Sequence, residues 1–363
     1  MYKKMIQHQI FFDFLRFSIG SESEIPDSLI EADWKELYRI AQKQCLVGSL
    51  FDGIQRLPSS NVGISWDLLL QWMAQSKMLE KTNVRLNDAA FRVSEWFRKK
   101  GFRTCILKGQ GNALMYPNPY SRTPGDIDIW VEGGDNRVIS FVRSISPHEK
   151  ACYHHIEFPS YKGVEVEVHY RPSFLLCFWH NRKLQKYYER VKEKQFSHRV
   201  MLGEQGEVAI PTVEFNLIFQ LTHIYAHLMN EGIGLRQLLD YYFVLQHADI
   251  KDLTELQRNL KHFGLWKFAG AIMYIMHEVF GMPASRLIVP LNEKYGNFVL
   301  NEVLEAGNFG SYDKRNRFGK SQLGHNLQRV YRDIRLIKYF PAEALSEPIF
   351  RVWHFFWRMK NKK

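Results

Sequence analysis

Cysteines, long apolar runs and leader features are scarce or missing in this 363-residue sequence, and each absence excludes a class of protein. The four cysteines are scattered with no C-x-x-C spacing, which argues against a zinc knuckle or a disulfide framework and favours a reducing, cytoplasmic setting. No uninterrupted apolar run reaches about 18 residues, so no transmembrane span is expected. The N-terminal stretch "MYKKMIQHQIFFDFLRF" has polar interruptions and no small-residue cleavage site after it, so we expect a folded helix there.

The composition is that of a globular protein, and three regions can be distinguished along it. Apolar residues make up 45% and aromatic residues 14% of the chain, which is enough for a large core. Residues 1–98 and 173–363 carry apolar residues at the spacing of helices. Residues 99–172 instead contain short strand patterns, "RTCIL", "DIDIWV", "EKACYHHIEF" and "VEVEVHY", separated by turns. The predicted fold class is therefore α+β, with a small mixed sheet and flanking helices enclosed by N- and C-terminal helical regions.

The net charge of +11 is concentrated in the last part of the chain. From Ser311 to Lys363 there are 13 Lys and Arg against 4 Asp and Glu, with aromatic residues among them. Such a mixture can bind RNA or another polyanion, or can lie on an anionic membrane with Phe350, Trp353 and Trp357 on the buried side of an amphipathic helix. The alternative is that these aromatics are core contacts and the basic residues form a solvated face.

The stretch "DIDIWV" places two acids on one side of a predicted strand. Because side chains alternate along a strand, Asp126 and Asp128 share one face while Ile127 and Ile129 share the other. Like charges this close raise each other's pKa. The arrangement suits either an exposed edge strand or a divalent cation.

A second acidic strand follows in "GVEVEVHYRP", where Glu165, Glu167 and His169 lie on one face and valines on the other. If it lies beside "DIDIWV", several carboxylates converge, and oxygen ligands of this kind suit Mg²⁺ or Mn²⁺. Two such ions could activate an attacking hydroxyl and stabilise a leaving pyrophosphate. The alternative is a charged, solvated edge strand. Two more histidines, His154 and His155, are expected to face opposite sides of the preceding strand.

The stretch "ILKGQGNALMYP" predicts a strand, a glycine turn and a helix. Backbone N–H groups at such a helix start attract an anion, and Lys108 adds a positive charge. The stretch matches neither the G-x-x-x-x-G-K-[ST] of a P-loop nor the G-x-G-x-x-G of a dinucleotide-binding fold. It is the outline of a phosphate site, in a pattern that any α/β protein can contain.

Together these motifs resemble the signature of the nucleotidyltransferase superfamily, which pairs a glycine turn with a D-x-D strand and a later single carboxylate. The order L-K-G, Y-P-x-P, R-x-x-G-D-I-D and E-x-H resembles more narrowly an uncharacterised bacterial family of that superfamily, over residues 102–172 and into the helices with "LTHIYAH" and "LRQLLD". The resemblance implies a minimal nucleotidyltransferase fold, an NTP donor and dependence on Mg²⁺ or Mn²⁺. In one departure, the usual glycine-serine pair of the turn is Gly109-Gln110, which removes one expected phosphate contact.

The resemblance also implies roles for individual residues. The catalytic carboxylates that hold the metal would be Asp126, Asp128 and Glu167. Glu167 is chosen over Glu165 because it stands two residues before the histidine. The residues of the phosphate turn would be Lys108, Gly109 and Gln110.

Further candidates lie outside the shared motifs. Arg122 could reach a triphosphate, brace the aspartates, or be a surface residue of its turn. His223 and His227, at i and i+4 of one predicted helix, are compatible with a shared metal, with a nucleotide or acceptor contact, or with packing. Asp240 could supply a ligand or orient a histidine, and Arg236 is a candidate anion contact.

Three functions therefore remain open. The first is an enzyme that transfers a nucleotidyl group from an NTP to an acceptor, which could be a small molecule, a sugar phosphate, a protein or an RNA. The second is a non-catalytic NTP-binding or regulatory module on the same fold, which the missing serine permits. The third is an RNA-binding or membrane-surface protein that acts through its basic tail. Metal-dependent turnover separates the first two, and salt-sensitive binding that disappears on tail truncation identifies the third.

Overall fold

The computed structural model describes residues 2–58, 63–315 and 322–361, and it has the predicted α+β class. The N-terminal region is helical, as expected, and consists of α1 (Tyr2–Ile19), α2 (Trp34–Gln44), α3 (Val47–Gln55) and α4 (Trp66–Lys99). Local signals set these boundaries. The side chain of Asp33 accepts a hydrogen bond from the backbone N–H of Glu36 at the start of α2, and Cys45 ends that helix in the left-handed conformation.

Within the described residues, a four-stranded mixed sheet forms the centre of the fold, in the order β1-β2-β4-β3. Its strands are β1 (Thr104–Leu107), β2 (Ile127–Val131), β3 (His155–Tyr161) and β4 (Val164–His169). Strand β2 runs antiparallel to β1 and parallel to β4, and β3 runs antiparallel to β4. The predicted neighbourhood of the two acidic strands is therefore confirmed.

The two faces of the sheet have different roles. The isoleucines of β2 and the valines of β4 are buried in one apolar cluster with residues of α4 and of α6 (Gly134–Ile145). Since side chains alternate along a strand, Asp128 and Glu167 project from the opposite face. The side of the sheet that carries the isoleucines and valines therefore packs against the helices, and the acidic side is available for a functional site.

The region after residue 172 is mostly helical. Its helices are α7 (Phe178–Ser197), α8 (Val213–Asn230), α9 (Leu235–His247), α10 (Leu253–His262), α11 (Trp266–Glu278), α12 (Glu293–Ala306), α13 (Gln322–Leu336) and α14 (Pro341–Lys360), whereas the short α5 (Gly109–Ala113) lies within the sheet region. Helices α8 and α9 are buried along most of their length. They face the acidic side of the sheet across a cavity.

The C-terminal region, for which helices were predicted, also contains one hairpin. Strands β5 (Arg199–Met201) and β6 (Glu207–Ala209) pair antiparallel, and β6 contacts β1. Gly203 and Gly206 have φ values of 59° and 137°, which residues with a Cβ rarely adopt, and they allow the tight turn. Each strand has only three residues, too few for an alternating pattern to be recognised in the sequence.

The aromatic residues of α14 face the protein. Phe350 is buried and stacks on Phe174, and Trp353 meets the ring of Tyr153 edge-on at 5.4 Å. Trp357 packs against the apolar cluster of the sheet. The core-contact alternative is thus confirmed for these side chains, and their predicted contact with a membrane is wrong. None of the described helices is both long and apolar enough to cross a membrane.

Candidate active site

Three carboxylates meet where β2 and β4 lie side by side. Asp128 is in register with Glu167, and Asp126 stands directly before the first residue of β2. One oxygen atom of each carboxylate lies within 4.8 Å of those of the other two. Asp128 is only 4% exposed, Glu167 is half-buried and Asp126 is exposed. The structure therefore brings the predicted metal ligands together, and this donor set fits Mg²⁺ or Mn²⁺.

Neighbouring charges shift the pKa values of the two aspartates in opposite directions. The charge of Asp128, together with burial, raises the pKa of Asp126 to about 6. Burial opposes the ionisation of Asp128, but Lys108 and His169 outweigh it and hold the pKa of Asp128 below its usual range. The atoms Nζ of Lys108 and Nε2 of His169 lie 3.0 and 2.8 Å from Asp128 Oδ1. Asp128 is therefore ionised at neutral pH.

The glycine turn places Lys108 between the carboxylates and α8. Lys108 and Gly109 have φ values of 51° and 39°, in the left-handed region. For a lysine this conformation is strained, and such strain clusters at functional sites. The Nζ atom of Lys108 contacts Asp128 and also lies 3.3 Å from Nε2 of His223. A phosphate group entering the cavity would meet this ammonium.

Gln110, in contrast, faces away from the cavity. Its side chain is 3% exposed, and its Nε2 donates a hydrogen bond to Oδ1 of Asn87 on α4. The predicted contact of Gln110 with an NTP is therefore not available in this arrangement. The position that carries serine in the superfamily turn instead ties the turn to α4.

A cavity of about 330 Å³ separates the acidic face of the sheet from α8 and α9. Ligand cavities in proteins begin at about this size. The lining includes the three carboxylates, Lys108, Arg236 and several histidines, namely His154, His155, His169, His223 and His227. Acidic and basic groups thus face each other across the same space.

The histidine pair of α8 lies in this cavity, next to the phosphate turn. Nε2 of His223 is 2.9 Å from Nε2 of His227. Burial and the charge of Lys108 hold the pKa of His223 well below its usual range, so its ring is neutral. The predicted pair is thus placed to contact a bound nucleotide or acceptor.

The prediction that His154 and His155 face opposite ways is wrong. Strand β3 begins only at His155, so alternation does not extend to His154, and the atoms His154 Nε2 and His155 Nδ1 are 3.0 Å apart. Both rings lie near the ring of His169 in the cavity lining. Burial lowers the pKa of both, that of His155 to about 4.

His169 is a site residue for which the sequence had suggested no role. Burial favours its neutral ring, but hydrogen bonds to Asp128 and Glu167 outweigh burial and raise the pKa of His169 to about 9. Its position two residues after Glu167, on the same face of β4, is the signal that could have identified it.

Arg122 and Asp240 form a buried ion pair. Nε and Nη2 of Arg122 each donate to one carboxylate oxygen of Asp240 at 2.8 Å, and the hydroxyl of Tyr116 donates to the same carboxylate. Burial disfavours both charges, but their mutual attraction lowers the pKa of Asp240 and raises that of Arg122. Arg122 is thus not a surface residue, and its carboxylate partner is Asp240 rather than Asp126 or Asp128. Asp240 is in turn engaged by Arg122 rather than by a histidine.

Arg236 is buried beside this pair and has fewer partners. It is 8% exposed, and its Nη1 donates to the backbone carbonyl of Thr123 at 3.2 Å. Within the described part of the chain, its buried Nε has no hydrogen-bond partner. Burial and the charge of Arg122 lower the pKa of Arg236. A buried guanidinium with spare donors at the wall of a cavity is suited to an anionic ligand.

A glycine turn, a D-x-D motif at a strand and a third carboxylate on the neighbouring parallel strand therefore stand in the arrangement that the resemblance to nucleotidyltransferases implied. A family model described as an uncharacterised nucleotidyltransferase matches residues 31–281, more than half of the chain, and the protein belongs to this family. One similar solved structure is an antigenic nucleotidyltransferase-like protein from Paracoccidioides brasiliensis. It is 14% identical, the match covers 57% of this chain and 94% of that one, and the TM-score is 0.32. A search of curated protein sequences gave no match.

Proposed function

We propose that the protein is a metal-dependent nucleotidyltransferase that moves an NMP group from an NTP to an acceptor. The observation that carries the proposal is the in-register pair of Asp128 and Glu167 beside Asp126, in contact with Lys108 at the wall of a cavity. Membership of a nucleotidyltransferase family supports the reaction class. Asp126, Asp128 and Glu167 would hold Mg²⁺ or Mn²⁺, which when bound supplies positive charge to the triphosphate and promotes ionisation of an attacking hydroxyl.

The residues of the chain have separate tasks in this reaction. Lys108 and Arg236 bind the phosphates of the NTP, and Lys108 offsets the negative charge that develops on the leaving group. The acceptor oxygen forms a bond to the α-phosphorus while the bond from that phosphorus to the bridging oxygen breaks. Pyrophosphate leaves, and the proton of the acceptor passes to a carboxylate of the cluster.

The direct test is release of pyrophosphate from each of the four NTPs with Mg²⁺ or Mn²⁺, in the presence of small-molecule, RNA or protein fractions as acceptors. We expect release that needs both metal and acceptor and that is lost in the Asp126→Asn, Asp128→Asn double variant. Metal-dependent NTP binding without turnover would instead favour the non-catalytic module. Absence of both binding and turnover would leave the carboxylates as a charged face of the two central strands with no catalytic role.

Replacement of Arg236 is expected to have opposite effects on stability and on NTP binding. Arg236→Met removes a buried, incompletely paired charge, so the free energy of unfolding should rise by about 1 kcal/mol. The same change removes a charge-assisted contact to phosphate, so the dissociation constant for NTP should rise about tenfold or more. Urea unfolding and nucleotide titration of one sample measure both.

The matched control is Arg258→Met, on the exposed side of α10. It should change the free energy of unfolding by no more than about 0.5 kcal/mol and leave NTP binding unaltered. Destabilisation by Arg236→Met with unchanged NTP binding would show that Arg236 has only a structural role.

A further inference from the structure

The contacts of His169 bear on the nature of the metal site. Its Nδ1 lies 3.3 Å from the backbone carbonyl of Arg171, which can only accept a hydrogen bond, so Nδ1 carries a hydrogen. Its Nε2 lies 2.8 Å from Oδ1 of Asp128 and 3.4 Å from Oε2 of Glu167. A neutral ring would aim the lone pair of Nε2 at two carboxylates. Three donor atoms placed in this way repel one another unless a cation lies between them.

We propose that Nε2 of His169 is a direct ligand of the divalent cation, together with Asp128 and Glu167. This inference rests on the proposed function and makes the site a mixed nitrogen and oxygen site, which favours Mn²⁺ or another first-row transition metal over Mg²⁺. A histidine whose second ring nitrogen is held by a backbone carbonyl is the usual arrangement of a metal-bound imidazole. His155 lies beside it, within 4.8 Å of the ligand atoms of Glu167 and His169.

The test uses Mn²⁺ alone and pulsed electron paramagnetic resonance, which detects ¹⁴N nuclei directly bonded to the ion. The wild-type protein should show nitrogen coupling. In His169→Gln the coupling should fall and the affinity for Mn²⁺ should decrease at least about tenfold. The control is His262→Gln, which alters an exposed histidine of α10 outside the cavity and should leave both readouts unchanged.

The outcomes separate this inference from the proposed function. Mn²⁺ bound by the wild type without nitrogen coupling would overturn the role of His169 and leave the transferase proposal standing. Nitrogen coupling that is lost in His169→Gln, in a protein that releases no pyrophosphate, would support the role of His169 and contradict the transferase proposal. Because a wild-type spectrum without nitrogen coupling is enough to overturn the role of His169, the inference can be contradicted even if the His169 variant does not fold, and coupling that persists in a folded His169 variant would assign the nitrogen to another histidine such as His155.

A second, independent inference comes from α13 and α14, which bury charged residues and expose apolar ones. One stripe of α14 consists of side chains that are 55–63% exposed, namely Leu345, Ile349, Val352, Phe356 and Met359. They follow one another at i, i+4, i+7, i+11 and i+14, so they share one side of the helix. On α13 the exposed side chains include Leu327, Val330 and Ile334. We call the five residues of the α14 stripe the apolar face. A surface helix normally has the opposite polarity, so this face requires a partner.

The charges around the apolar face identify the kind of partner. The four acidic residues between 311 and 363 are all buried, namely Asp313, Asp333, Glu343 and Glu347. Exposed basic residues remain in the same segment, namely Lys338, Arg358 and Lys360. The exposed charge of this described segment is therefore positive. A second copy of the chain would bring two positive surfaces together, whereas an anionic surface complements them.

We infer that the apolar face lies on an anionic phospholipid bilayer. The apolar side chains enter the boundary between headgroups and acyl chains, and Lys338, Arg358 and Lys360 contact lipid phosphates. The aromatic residues of α14 that pack on the protein hold the helix in this orientation, with Phe350 inward and Ile349 outward. The reaction catalysed in the cavity would then take place at a membrane surface.

Sedimentation of the full chain with vesicles tests the inference. We expect binding to vesicles of phosphatidylglycerol and phosphatidylcholine, and at least about tenfold weaker binding by the Ile349→Glu, Phe356→Glu variant. The control is Ile30→Glu, Met78→Glu, which makes the same charge change at two exposed apolar residues outside the face. Because all four positions are exposed, folding should be unaffected.

Three results would overturn the inference. The first is no binding to the anionic vesicles, and the second is binding that the face variant leaves unchanged. The third is a wild-type dimer in solution that the face variant converts to a monomer, with no vesicle binding by either. That result would assign the face to a second copy of the chain.

Discussion

Asp128→Asn is expected to lower kcat for nucleotidyl transfer by about 10³-fold or more. The substitution keeps the shape of the side chain but removes the charge that lies 3.0 Å from Lys108 Nζ and 2.8 Å from His169 Nε2. Metal-assisted charge stabilisation contributes several kcal/mol to a barrier of this kind, and each 1.36 kcal/mol corresponds to about a factor of ten. Steady-state release of pyrophosphate with saturating Mn²⁺ measures the effect.

Glu165→Gln is the matched control for this prediction. Glu165 stands on β4 two residues before Glu167, and it is exposed. The change removes one negative charge from the same strand, yet kcat should stay within about twofold of the wild-type value because surface changes away from a site have small effects. Equal losses in the two variants, or full activity in Asp128→Asn, would contradict the assignment of the carboxylates.

Asp240→Asn is expected to lower the free energy of unfolding by about 3–5 kcal/mol. It leaves the guanidinium of Arg122, 4% exposed, without a countercharge in the interior. Breaking a buried ion pair by removal of one partner has this cost because the remaining charge is not solvated. Urea unfolding followed by circular dichroism measures it.

Two controls isolate the cause of that loss. Arg122→Met, Asp240→Leu removes both charges and should be less destabilising than Asp240→Asn alone. Glu214→Gln breaks the exposed pair of Lys194 and Glu214, at 3.7 Å, and should cost less than about 1 kcal/mol. A loss below about 1 kcal/mol for Asp240→Asn would mean that solvent reaches Arg122 and that the pair is not buried in solution.

Local pattern was sufficient to predict the centre of the fold. Alternation of acids with isoleucines and valines identified β2 and β4 and the face that each acid occupies. The sequence could not establish that Asp128 and Glu167 are neighbours, since strand pairing depends on contacts between segments far apart in the chain. The structure shows that β2 and β4 are paired and that the two acids are in register.

Other features depend on tertiary contacts that no local pattern encodes. Arg122 and Asp240 are 118 residues apart in sequence, so their pairing could not be read from either segment. The start of β3 at His155 places His154 outside the alternation on which its predicted direction depended.

The orientation of α14 could not be predicted from the sequence either. Helical periodicity reveals that the sequence contains an apolar stripe through Phe350, Trp353 and Trp357 and another through Ile349 and Phe356. It does not say which stripe faces the protein. Ring contacts with Tyr153 and Phe174 select the first, which leaves the second exposed.

The measurement that tests nucleotidyl transfer most directly is a pair of incubations with NTP labelled at either the α- or the γ-phosphorus, each with Mn²⁺ and the acceptor fraction that supports turnover. Label from the α-phosphorus is predicted to appear in the acceptor, and label from the γ-phosphorus only in pyrophosphate. Appearance of γ-label in the acceptor, or of free phosphate without transfer of α-label, would contradict nucleotidyl transfer by this site.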